Sequence, residues 1–409
     1  MDIFHLISLI IVISAAFAYL NFRFLKLPAS IGLMLMSLGL SLLVLLAGNF
    51  FPSIKQKIAT EVLGINFSDL LLEGMLSFML FAGAIHVKFA DLKSEKLNIL
   101  LLSTVSVLIS TFVIGISAFY LFNFLGINVQ LIHSLLFGAL ISPTDPIAVL
   151  SILKSAGVSR SLETKMAGES LFNDGVAVVV FITILQFALP NASITIFNVL
   201  LLFGQEALGG LILGLAIGWI SFKLIASIDN YQVEVLITLA MVMGGYTLAH
   251  YLHVSGPLAM VVAGIITGNK SRDLGMSKIT AEYVDKFWEL IDEILNAILF
   301  VIMGLELLLI KSNATLIFAS LLMVIISIIT RYFSIIIPAF LVHLNEKINQ
   351  KVLIILTWGG LRGGISIALA LTIQPTMDKD IWVTATYIIV CFSILVQGLT
   401  VGKLAQRLK

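Results

Sequence analysis

The chain is patterned as long apolar runs separated by short polar clusters. A helix rising 1.5 Å per residue needs about 20 apolar residues to cross the ~30 Å hydrocarbon layer of a bilayer, so each long run predicts a transmembrane helix. Thirteen spans are expected, at approximately 3–22, 28–48, 69–87, 98–122, 131–153, 166–189, 194–225, 233–252, 255–268, 287–310, 314–343, 350–374 and 380–402. The ninth is short. The seventh and eleventh are long enough to tilt or to include an interfacial turn.

Two spans carry residues that disfavour a continuous helix. The fifth reads LLFGALISPTDPIAVLSIL, with Asp145 between Pro143 and Pro146; the twelfth reads LIILTWGGLRGGISIALAL, with Arg362 between two glycine pairs. Each proline removes a backbone donor, and glycine weakens a helix interior. Spans five and twelve are seven crossings apart, so they run antiparallel, as members of an inverted repeat must. Spans four to six then correspond to spans eleven to thirteen. Paired interruptions in two inverted halves point to a transporter whose site lies where broken helices cross at the midplane. The positive ends of half-helices there favour an anion and the negative ends a cation; Asp145 is assigned to the first and Arg362 to the second.

Composition agrees with a membrane protein. The 409 residues are 59% hydrophobic and 11% charged, against roughly a quarter charged in soluble proteins. The start at Met1 and Asp2 has no basic region, and the first apolar run is long enough to persist as a transmembrane helix, so no cleaved leader is expected. Cys391 is the single cysteine and reads as a small buried residue. No linker or low-complexity tail suggests a second domain, so 1–409 is read as one membrane domain.

Basic residues set the orientation. Eighteen of the 24 Lys and Arg follow odd-numbered spans, Lys55, Lys57, Lys311 and Lys379 lie on the other side, and Arg331 and Arg362 fall within spans. Positive residues collect on the cytoplasmic side. Thirteen crossings, an outer N-terminus and a cytoplasmic C-terminus follow, whereas a non-crossing ninth span would level the distribution.

Span six begins with GESLFNDG, at 168–175. Entering at about residue 166 from the cytoplasmic side, it carries Asp174 about 12 Å into the bilayer. Ser170 and Asp174 are helical i,i+4 neighbours, as are Glu169 and Asn173, which gives two adjacent polar rows. A carboxylate, a hydroxyl and an amide facing inward make an oxygen-rich site for a small hard cation. Glu169 needs a partner at this depth, and Arg331 in span eleven is the candidate. The competing reading for Glu169 and Asp174 is helix-to-helix hydrogen bonding alone.

Other features carry less. His250 and His253 have metal-like spacing without a third ligand and read as interfacial polar residues. Glu289, Asp292 and Glu293 form either a solvated helix start or a cation-attracting funnel. Glu206 is assigned no transport role, with packing between domains or subunits as its alternative. No GxxxxGK[ST] loop, organic cofactor motif or redox motif is present, so transport without ATP or cofactor is expected, and not an enzyme.

The segments ISPTDPIAVLSILK and GESLFNDGVAVVVF, an arginine in span eleven and the Gly-rich span twelve resemble the monovalent cation:proton antiporters of the bacterial NhaP type and the related eukaryotic sodium/hydrogen exchangers. The resemblance covers about residues 10 to 400, without the large regulatory tail of the eukaryotic members. It implies an all-α polytopic membrane protein of about 13 transmembrane helices, with inverted repeats and two broken helices crossing at the midplane. An ion-binding core of approximately 98–189 and 314–402 would move against a dimerisation scaffold of 3–87 and 194–310. By the same resemblance Asp174 is protonated and cation-bound in turn, and Ser170, Thr144 and Asp145 complete or support the site. Glu169 and Arg331 form an ion pair beside it, and Asn173 marks a subgroup that exchanges one cation for one proton. The implied partners are Na⁺ or Li⁺ and H⁺, the lipid bilayer of the cell membrane and a second copy of the chain in a homodimer, with no nucleic acid and no resident cofactor. A K⁺/H⁺ antiporter, a cation channel and a cation-coupled solute symporter are the alternatives.

Overall fold

The computed structural model describes residues 3–47, 67–145, 147–189, 195–310, 313–341 and 350–408. Met1, Asp2, Lys55, Lys57, Pro146 and Lys311, named above, lie outside them. Among the described residues the chain is all helical, apart from one isolated antiparallel bridge between Asp145 and Leu361.

Among the described residues, each of the thirteen apolar runs is mostly helical. The first four are α1 (Ile3–Leu20), α2 (Ala29–Ala47), α3 (Leu76–Ile85, continuing a wide helical stretch, Leu70–Met75) and α4 (Lys96–Phe124). The fifth is split into α5 (Leu131–Ile141) and α6 (Ile147–Ala156). Then come α7 (Arg160–Ala188), α8 (Ile196–Ile225), α9 (Tyr231–Tyr251), α10 (Gly256–Ile266), α11 (Lys278–Leu305) and α12 (Ala314–Leu341). The twelfth run is split into α13 (Gln350–Trp358) and α14 (Gly364–Thr372), and the last holds α15 (Lys379–Phe392) and α16 (Gly398–Leu408).

Helix starts follow local chemistry. Ser159, Thr195, Asn230, Ser255 and Ser277 each accept a backbone N–H of the first turn, opening α7, α8, α9, α10 and α11. Two starts differ from the apolar pattern. The Ser277 cap opens α11 nine residues before its expected span at 287. The short ninth run extends beyond α10 through a wide turn, Thr267–Ser271, into Arg272–Leu274. Residues 269–286 are therefore mostly helical, where a plain connection was expected.

Nine described helices are long and apolar enough to cross a bilayer by themselves. The other four expected spans are the two broken ones, the short ninth and the charged tenth.

Small residues let the helices approach. Gly210, Gly214 and Gly218, four apart on α8, face Ser255, Ala259 and Ala263 around α10, while Gly115 and Gly138 bring α4 and α5 together. Around α4 and α5 a core of α7, α12, α14 and α15 is assembled, with Trp382 stacked on Phe137 at 5.0 Å between ring centres. A second set packs α10 on α3 and α8, and α11 on α2, α3 and α9; there the buried Trp288 donates to Thr238 over 3.0 Å. The two sets meet along α2, α11, α14 and α15. His133 of α5 and Asp378, just before α15, meet at 2.9 Å.

Candidate functional site

The two broken helices meet where their backbones leave helical geometry. The peptide N–H of Asp145 donates to the carbonyl of Leu361 over 2.8 Å, so one extended stretch satisfies the other as in a minimal sheet. Arg362 donates from one guanidinium nitrogen to the carbonyls of Ser142 and Pro143, both at 2.8 Å. These carbonyls end α5, and a cation there offsets the negative pole of the half-helix. Asp145 lies against Gly363, which caps the start of α14, so the carboxylate meets a positive pole.

Glycine is required at two points of this crossing by close approach. A Cβ on Gly363 would run into the Asp145 carboxylate, and one on Gly360 into the guanidinium of Arg331.

Helix α7 holds the break of the fifth run from the side. The Ser170 hydroxyl donates to the Thr144 carbonyl, the Asn173 amide donates to Thr144 Oγ1 over 2.9 Å, and the Thr144 N–H reaches Asn173 Oδ1 over 3.5 Å. Ser170 Oγ, donating its proton, keeps its lone pairs; Thr144 Oγ1 keeps one. Both hydroxyls thus remain chemically able to coordinate a cation while they pin the backbone.

Asp174 follows one helical turn after Ser170 and is 8% exposed. It lines a cavity with Thr144, Asp145, Gly363 and Ser366, closed on the apolar side by Leu80 and Leu299. The described residues bring no arginine or lysine into an ion pair with it. The nearby cations are committed elsewhere. Arg362 serves the α5 carbonyls, and Arg331 meets Glu169 at 2.5 Å with both side chains buried.

Several contributors carry no signal as strong as a buried charge. Ser393 accepts the Arg362 N–H over 2.9 Å and donates to Gln397 over 2.8 Å, which in turn donates to the Trp358 carbonyl over 3.3 Å. Their i,i+4 spacing on span thirteen was the available hint. Ser366 was also missed. Its position three residues after Gly363 takes it into the cavity wall.

The secondary candidates separate. His250 and His253 are exposed, and among the described residues no three His, Cys, Asp or Glu side chains converge to hold a metal. Glu289 and Glu293 are exposed, whereas Asp292 turns inward. Glu206 is buried beside the α9–α10 turn, where its carbonyl accepts the Ser255 N–H over 3.0 Å. Cys391 is half-buried, next to Tyr387.

Comparison with known proteins agrees with this architecture. The family described as sodium/hydrogen exchanger, transmembrane, matches residues 11–407. The Na⁺/H⁺ antiporter NhaP of Pseudomonas aeruginosa is 47% identical, with 98% of this chain and 96% of the relative covered. The Na⁺/H⁺ antiporter NhaH of Halobacillus dabanensis is 33% identical, with 100% and 98% covered. The structure of the sodium proton antiporter MjNhaP1 from Methanocaldococcus jannaschii has the same fold, with a TM-score of 0.78 at 21% identity over 100% of this chain and 99% of that one. With a family match that runs nearly end to end and two relatives aligned over almost their full lengths, the chain belongs to the sodium/hydrogen exchanger family of transmembrane proteins.

Proposed function

We propose that this protein is a secondary active antiporter that exchanges Na⁺ or Li⁺ for H⁺, one for one, by alternating access. The observation that carries the proposal is the lack of a fixed cation for Asp174 beside two arginines committed elsewhere. A buried carboxylate without a countercharge is costly in a membrane interior, so it takes a proton or a cation. It cannot hold both at once. Ser170, Thr144, Asp145 and Ser366 offer the oxygens that would replace a cation's hydration shell.

Loaded with either ligand the carboxylate is neutralised and the site can move; bare, it is held back by its charge. Glu169 and Arg331 keep α7 and α12 in register, and Asn173 and Arg362 keep the crossing in shape. The core formed by 98–189 and 314–402 would carry the site against a scaffold of 3–87 and 194–310, through which two copies form a homodimer. Thirteen crossings would leave the N-terminus outside and the C-terminus in the cytoplasm of a cell membrane. The names of the relatives, Na⁺/H⁺ antiporters, support the same substrates.

The test is exchange by purified protein in liposomes containing a pH-sensitive dye, with Na⁺, Li⁺ and K⁺ added in turn. Na⁺- or Li⁺-driven proton movement is expected. Proton movement driven only by K⁺ would change the substrate, unitary currents in a planar bilayer would make it a channel, and cation-dependent uptake of an organic solute would make it a symporter.

A further inference from the structure

The acidic triplet at the start of the tenth span divides by burial. Glu289 and Glu293 face outward, and Asp292 turns inward with Oδ1 buried and without a hydrogen-bond donor among the described residues. One turn on, Asn296 is 7% exposed, and its Oδ1 also lacks a donor. The orientation of this amide is fixed, because its nitrogen donates to the Asp292 carbonyl over 2.8 Å and only the nitrogen can donate. One carboxylate oxygen of the half-buried Asp292 and the amide oxygen of Asn296 therefore lie one turn apart on α11, each buried and without a donor, while the Asn296 side chain supports the rest of the carboxylate and no cation among the described residues is paired with it.

Buried acceptors left bare cost free energy, the charged one most. What would satisfy this pair is a hard cation, which prefers carboxylate and amide oxygens. Its location fits a passage. Asp292 is close enough to Asp145 to interact with it electrostatically. Leu299, the next residue along the Asn296 face, lines the Asp174 cavity and packs on Gly364 at the start of α14. On the orientation proposed above, Asp292 lies between the cytoplasmic entrance and the crossing.

We infer that Asp292 and Asn296 form a waiting site for the transported monovalent cation on the cytoplasmic approach, where it exchanges part of its hydration shell for protein oxygens before reaching Asp174. The inference rests on the antiporter proposal. The site belongs to α11, outside the moving core, so it would serve only the cytoplasmic-facing half of the cycle. Its loss should weaken capture from that side and leave capture from the other side nearly intact.

The experiment compares everted with right-side-out membrane vesicles, which present opposite faces to added Na⁺. Asp292→Asn and Asn296→Leu should each raise the Na⁺ concentration for half-maximal exchange about tenfold in everted vesicles, the effect of losing roughly 1.4 kcal/mol of attraction. In right-side-out vesicles the change should stay within about twofold, and saturating Na⁺ should restore most of the rate in both. Asp292→Glu, which keeps the charge, should recover most of the lost affinity. A fall in thermal midpoint with unchanged Na⁺ dependence, or an equal loss from both faces, would overturn the inference and leave a packing role. Wild-type vesicles without Na⁺-driven exchange would instead overturn the antiporter proposal itself.

Discussion

Asp145 and Leu361 are joined by a 2.8 Å backbone hydrogen bond, although 216 positions separate them in the chain and neither belongs to a strand of any length. This bond makes the two interruptions mutually dependent: each supplies a backbone group that the other would leave unsatisfied in the membrane interior. The guanidinium of Arg362 reaches the end of α5, and the carboxylate of Asp145 fits against the start of α14 because Gly363 has no Cβ in its way.

Gly363→Ala should therefore abolish or nearly abolish transport. The added methyl group must displace the Asp145 carboxylate from the start of α14, and overpacking of this kind costs about 1–3 kcal/mol. Gly39→Ala is the control, since nothing lies within 4 Å of a Cβ there. Exchange rates in liposomes check both, and wild-type exchange by Gly363→Ala would show that the close approach is dispensable.

Asp174→Asn should fold and fail to exchange. The amide keeps the shape of the side chain but can neither release a proton nor neutralise a cation. Gel filtration and thermal denaturation should match the wild type while Na⁺-driven proton movement disappears. Retained exchange by the folded variant would move the chemistry elsewhere, with Asp145 the next candidate.

Glu169 and Arg331 should behave as one unit. Removing either partner leaves a buried charge uncompensated, at about 3–5 kcal/mol, and removing both should recover part of that loss. The cycle is Glu169→Gln, Arg331→Gln and the double variant, read as thermal midpoints. Strictly additive losses would contradict the 2.5 Å contact.

Much of this architecture was legible because the membrane makes certain residues expensive. Long apolar runs can only be helices there, and Pro143, Gly359, Gly360, Gly363 and Gly364 mark where two of them break. Charges at Asp145, Glu169, Asp174, Arg331 and Arg362 stand out for the same reason. Finer placement was less legible. The first half of α11 carries charged side chains on several faces, so Asp292 could not be told from Glu289 and Glu293. The wide turns Thr267–Ser271 and Ser393–Gln397 have no strong residue signature, since they answer to packing. Ser393 and Gln397 became visible as supports of Arg362 only when the crossing brought residues 31 and more positions apart together.

The last prediction concerns charge and pH together. If one carboxylate carries either one proton or one monovalent cation, a complete cycle moves no net charge, because the two ligands neutralise Asp174 equally and Asn173 offers no second ionisable group. A cycle that moved one charge would gain or lose roughly 2.3 kcal/mol for each ~100 mV of membrane potential. With the potential clamped by potassium and valinomycin, the Na⁺ gradient at which net exchange stops should stay fixed as the voltage is varied. The same competition sets the direction of the pH effect. Protons occupy the carboxylate as pH falls, so apparent Na⁺ affinity should weaken on acidification, approaching about tenfold per pH unit once protons dominate. Maximal rate at saturating Na⁺ should respond less. An equilibrium gradient that shifts with voltage would mean unequal numbers of charges in the two directions, and a second titrating site would then have to be found among the carboxylates that face the cavity, beginning with Asp145.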